Sequence, residues 1–124
     1  MNSIDMVNQY IGDISDLAIN ELESKDPTTV IFSKVISEKL TGYNSLAIRI
    51  PKNQFCKNLI NEFGKPLSST SANTHGSQIP ISYEIIEDEI INNVNHVVKY
   101  IFPKNVKPSR IVEIKGNSIK IVRS

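Results

Sequence analysis

The apolar residues of this chain change their spacing along its length, and that change limits what it can fold into. Val7, Ile11, Ile14, Ala18 and Leu22 recur at helical intervals, which predicts one amphipathic helix over the first twenty-odd residues. Pro27 stops it, since proline breaks a helix interior. Thr28 to Phe32 is β-branched and aromatic, the composition of a strand. A short helix is expected over Lys34 to Leu40, a turn at Gly42 and Asn44, and a second strand over Ser45 to Ile50. Asn53 can cap a helix whose face is Phe55, Leu59, Ile60 and Phe63, with Gly64 ending it.

Beyond that helix the chain is more polar. Pro66 to Ser69 reads as short and extended, and Ser71 to Pro80 as a loop. Ser82 can open a helix running to about Asn93 through Tyr83, Ile86 and Ile90. His96 to Phe102 reads as a strand and Pro103 to Pro108 as a connector. Arg110 to Ile114 and Ile119 to Arg123 flank Lys115-Gly116-Asn117-Ser118, a hairpin turn. Helices and strands in this order predict an α/β fold, a twisted mixed sheet with packed helices. At 124 residues, one domain is expected.

Composition removes several classes of function. With 40% hydrophobic and 22% charged residues, the chain reads as globular rather than disordered. No apolar run approaches the ~20 residues of a membrane-spanning helix. The first residues lack a signal-peptide profile, so the cytoplasm is the expected compartment. Cys56 is a single cysteine and His75 and His96 lie far apart. Multi-cysteine zinc frameworks and helical metalloprotease motifs are thereby excluded, and no metal-ligating residue is expected. Charge is unevenly placed. Residues 1–98 hold 7 Lys/Arg and 12 Asp/Glu (−5), whereas residues 99–124 hold 7 Lys/Arg and only Glu113 (+6). A basic end can meet phosphates, or its lysines can keep an edge hairpin soluble.

Common phosphate-loop, dinucleotide and serine-hydrolase signatures are absent. The most unusual stretch runs from Ser68 to Gly76. Ser68, Ser69, Thr70, Ser71 and Asn73 place five small polar side chains within six residues. Such a loop can wrap an anion with hydroxyls and backbone N–H groups. It can equally bond its own backbone.

A resemblance bears on that choice. Pro66-Leu67-Ser68-Ser69-Thr70-Ser71-Ala72-Asn73-Thr74-His75-Gly76 resembles the Thr-Ser-Ala-Asn-x-x-Gly segment of the YrdC-like family, the L-threonylcarbamoyladenylate synthases. Ser45 to Pro51 resembles the family's Val-Ala-Val-Arg-x-Pro strand, and Pro108 to Ile114 its Pro-Ser-Thr-Ile-Val-Asp segment. Ile119 to Arg123 resembles the strand ending in its late arginine, and Asp26 to Ile31 is a weaker match to its Pro-Gly-x-x-Thr strand. These segments fall in the family's order over about residues 27–123, leaving residues 1–26 as a separate N-terminal helix.

The resemblance implies a function and a site. Family members condense threonine, bicarbonate and ATP into threonylcarbamoyl-AMP and pyrophosphate, a step of tRNA threonylcarbamoyladenosine modification. On this mapping Ser71 and Asn73 match the catalytic Ser-x-Asn pair. Ser69, Ser71, Asn73, Ser109 and Arg123 match nucleotide- and phosphate-binding positions, expected in one cleft. Arg49 and Arg110 are further candidate anion contacts. ATP is the implied substrate, Mg2+ its accompanying ion and RNA a further partner. The chain also departs from the family. Its only arginine before Gly64 is Arg49, so the Lys-x-Arg motif is unmatched. Arg110 stands where threonine is usual, and the Arg-x-Gly ending is Arg123-Ser124. The resemblance therefore implies a truncated or divergent synthase, weak or inactive alone. The alternatives are a non-catalytic nucleotide- or RNA-binding module, or a subunit completed by a chain with the missing half.

Overall fold

The computed structural model describes residues 1–33, 42, 44–99 and 108–124. Its elements run α1 (Ile4–Ile11), α2 (Asp16–Glu23), β1 (Thr28–Phe32), β2 (Leu46–Arg49), α3 (Gln54–Phe63), a 3-10 turn (Tyr83–Ile85), α4 (Asp88–Asn92), β3 (Arg110–Lys115) and β4 (Ser118–Arg123). The chain divides into two compact units, one of residues 1–67 with 109–124 and one of residues 68–108.

The first unit is a four-stranded sheet in the order β2-β1-β3-β4, backed by helices. β1 pairs antiparallel with β2 and parallel with β3, and β4 returns antiparallel to β3. The expected α/β class and mixed sheet are present, as is the C-terminal hairpin. Register explains the core. Ile48 lies opposite Val30, and Val30 opposite Val112, so one row of β-branched residues crosses three strands. All three are buried, together with Val7, Tyr10, Ile11 and Leu22 of the two N-terminal helices. Each such side chain stabilises the fold by roughly 1.5–3 kcal/mol.

The N-terminal segment differs from the single helix that its periodicity predicts. Gly12 adopts φ 86°, closing α1 through its N–H on the Asn8 carbonyl. Ser15 then caps α2, accepting from the Ala18 N–H. The break lets both short helices bury their apolar faces, and Ile14 sits half-buried between them. In α3 both termini follow the sequence. The Asn53 side chain accepts from the Cys56 N–H, and Gly64 ends the helix at φ 69°. Only Ile60 of its apolar face is buried, while Phe55, Leu59 and Phe63 are exposed.

The second unit has no buried residue among those described. The helix expected over residues 82–93 is replaced by the 3-10 turn and the five-residue α4, separated by extended Ile86. A helix this short needs tertiary packing to persist, and none of these side chains is buried. Residues 96–99 are not in a strand. The remainder of that expected strand, and the helix expected over Lys34 to Leu40, lie outside the described residues.

Burial sets the expected mutational response. Leu22→Ala removes a fully buried side chain and is expected to cost about 2–5 kcal/mol. Leu59→Ala acts on a half-exposed one and is expected to cost about 1 kcal/mol or less. Urea unfolding of the two variants checks the order.

Candidate anion-binding site

β1 and β3 run parallel and their outer neighbours run against them, so four different strand ends share one end of the sheet. Register places Arg49 opposite Thr29, Thr29 opposite Ile111, and Ile111 opposite Arg123. Ser109 immediately precedes β3 and is buried. Its hydroxyl shares a 2.8 Å hydrogen bond with the Thr29 hydroxyl. Arg123 donates from Nε and Nη2 to the Ser109 carbonyl, at 3.2 and 2.7 Å, and Nη2 also reaches the Ser109 hydroxyl at 3.5 Å. Thr29, Ser109 and Arg123 are thus one bonded group.

The three arginines differ in availability. Arg110 is ion-paired with Glu21 of α2, and its N–H donates to the Pro27 carbonyl at 2.9 Å. Arg123 is held on Ser109. Arg49 is exposed and has no carboxylate partner among the described residues. Its carbonyl accepts from the Met1 amine at 3.3 Å. Burial, then the Arg49 charge, holds that amine below its ordinary pKa. One strand end therefore concentrates positive charge beside two hydroxyls, an arrangement suited to an oxyanion.

In the second unit the polar loop is partly closed on itself. The Asn73 amide donates to the carbonyls of Thr74 and Ser77 at 3.1 and 2.9 Å. The Thr74 hydroxyl donates to the Glu87 carboxylate at 3.1 Å and accepts from Ser77 at 2.8 Å. These bonds hold Glu87 below its ordinary pKa. Asn73 Oδ1 is buried and makes no hydrogen bond. Ser69 and Ser71 are exposed.

The structure brings Ser109 and Arg123 together in the first unit, with Arg49 at the same sheet end. Ser69, Ser71 and Asn73 belong to the second unit. Two participants were not singled out from sequence. Thr29 had a faint signal in the weak Asp26–Ile31 match. Glu21 had none, because its pairing with Arg110 depends on how α2 packs. A concavity of about 200 Å³ opens elsewhere on the first unit, lined by Ile11, Ile14, Phe32 and Ile114 with Asp13 and Ser15. None of the sequence-predicted site residues lines it.

The family model described as "Telomere recombination", that of the YrdC-like domain, matches residues 1–124. The chain belongs to the YrdC-like family. It is 32% identical over 81 residues to the threonylcarbamoyl-AMP synthase of Pseudoalteromonas translucida, covering 64% of this chain and 43% of that protein. It is 26% identical over 114 residues to a putative threonylcarbamoyl-AMP synthase of Methanocaldococcus jannaschii, covering 92% and 54%. A Photobacterium profundum threonylcarbamoyl-AMP synthase is 39% identical over 74 residues, covering 54% and 40%. This YrdC-like chain spans about half the length of the curated relatives it matches. No solved structure matches it.

Three outcomes follow from the site's bonds. Arg110→Ala leaves the mostly buried Glu21 carboxylate unpaired and is expected to cost about 1–3 kcal/mol. Arg49→Ala, at an exposed and unpaired position, is expected to change stability by less than about 0.5 kcal/mol. Urea unfolding compares them. Thr74→Val removes the hydroxyl bonded to Glu87, so the Glu87 pKa is expected to rise, measured by carboxyl 13C NMR. The sign follows from linkage. Glu87 favours the folded loop above its unfolded pKa, and that contribution is lost as pH falls through the lowered folded value.

Proposed function

We propose that this chain is a divergent or partial threonylcarbamoyl-AMP synthase domain that binds ATP and contributes little turnover on its own. Family membership and the Thr29–Ser109–Arg123 group support this reading. The group carries the hydroxyls and cation that a phosphate needs, on segments resembling the family's phosphate-binding ones. The substrates are ATP, threonine and bicarbonate, the class is nucleotidyl transfer, and the setting is cytoplasmic tRNA modification.

The chain's own residues divide the work. Ser109 and Arg123, with Thr29, take phosphate oxygens, and Arg49 adds charge at the same strand end. Ser69 and Ser71 supply hydroxyls from the polar loop. Asn73 is proposed with Ser71 as a catalytic residue, its amide N–H groups ordering the loop on the Thr74 and Ser77 carbonyls. Among the described residues no group of His, Cys, Asp or Glu is placed to hold a metal. In this reading Mg2+ arrives with the nucleotide as part of the substrate.

A second reading has its own support. Arg110 is neutralised by Glu21 and Arg123 is occupied by Ser109, which among the described residues leaves Arg49 as the arginine without such a partner. One such cation is a weak counter to a triphosphate, and losing a charge-stabilising donor typically costs ~3–4 kcal/mol in a transition state. This favours a nucleotide- or RNA-binding module, or a subunit completed by a second chain that supplies the Lys-x-Arg part.

Titration with Mg-ATP and with threonylcarbamoyl-AMP, followed by backbone NMR, tests the proposal. Shifts are expected at Thr29, Ser109 and Arg123 and at Ser69 to Asn73, weakening as salt rises and lost at the first group in Ser109→Ala. Diffuse shifts over all lysines would overturn the site. Pyrophosphate release from ATP, bicarbonate and threonine is expected to be near background for the chain alone. Robust release would overturn the reading of weak turnover.

A further inference from the structure

The C-terminal strand raises a separate question that does not depend on nucleotide binding. β4 lies at one edge of the sheet, paired with β3 on one side and with no strand on the other among the described residues. All six of its residues are exposed. They include three large apolar side chains, Ile119, Ile121 and Val122. An edge with unpaired N–H and C=O groups and exposed β-branched residues is a template for another strand. The opposite edge is different. β2 has four residues, and its Arg49 carbonyl already accepts from the Met1 amine.

Charge selects the occupant. β4 carries Lys120 and Arg123 and no Asp or Glu. A second copy pairing along this edge would add the same two cations and no carboxylate. In antiparallel pairing centred on Lys120, the two ammonium groups would face each other, which is destabilising. A strand bearing carboxylates meets the opposite condition, since opposite charges across strands stabilise the pair. We infer that β4 is a docking edge for an extended, proline-free polypeptide segment that alternates β-branched and acidic residues. Backbone pairing supplies affinity, and Lys120, the β4 cation not held on Ser109, supplies selectivity.

The test uses the full 15N-labelled chain and three peptides in NMR titrations. One is acetyl-Thr-Glu-Val-Glu-Val-Glu-Thr-amide, one has lysines in place of the glutamates, and one has proline as its central residue. The acidic peptide is expected to shift the amides of Ser118 to Arg123 and slow their exchange. It should bind about five-fold tighter than the lysine peptide, since Lys120 then meets a carboxylate in place of an ammonium group. The proline peptide should bind less well, because it cannot complete the ladder. In Lys120→Glu, whose fold is verified by its unchanged core resonances, the preference for acid over lysine should shrink or reverse. Equal response to acidic and lysine peptides, or shifts centred away from β4, would overturn the inference. So would dimerisation of the chain alone through Ser118 to Arg123, seen by sedimentation, because the edge would then belong to a second copy.

Discussion

The parallel pairing of β1 with β3 is the constraint on which the first unit rests. It joins stretches far apart in sequence, and the Thr29–Ser109 hydrogen bond spans 80 positions. Closing so long a loop costs entropy, although the cost grows only with the logarithm of length. Burial of Val30 beside Val112, both fully enclosed, offsets it. Once that register is set, Ser109 has a single place, against Thr29. The return of β4 then delivers Arg123 to the Ser109 carbonyl. A slip of one residue would turn Val112 out of the core and Ser109 away from Thr29.

The same packing decides what each arginine can do. A cation on an exposed strand end is available to a ligand, whereas one beside a mostly buried carboxylate serves the fold. Arg110 is of the second kind because α2 places Glu21 next to it. Arg123 lies between these cases. Its fork fixes a backbone carbonyl and so orders the hydroxyl pair beneath it, which preorganises the group at the expense of free donors.

Much of the first unit was legible in the residues. The strand at Thr28, the capped helix from Asn53 to Gly64 and the hairpin about Gly116 all rest on local chemistry, and local chemistry is written in sequence. The break at Gly12 was not, because the apolar period continues through Ile14 and hides the change of helix. The helix expected from Ser82 failed for a related reason. Its pattern is amphipathic, but its apolar face remains unburied, and pattern without packing does not hold a short helix. The motif resemblance singled out Ser109 and Arg123, which the structure joins by hydrogen bonds. It did not bring forward Thr29 or Glu21, whose parts depend on contacts between elements far apart in the chain.

The division of the chain gives the first unit a discontinuous covalent layout. Its last 16 residues, 109–124, rejoin a body made by residues 1–67 after an excursion through 68–108. The sheet, rather than the connecting polypeptide, is what retains β3 and β4 there. A protease nick within residues 68–99 would therefore leave two fragments that co-migrate as one folded species under native conditions and separate only in denaturant. The same layout marks that excursion as the stretch in which evolution can lengthen, shorten or replace sequence without dismantling the sheet.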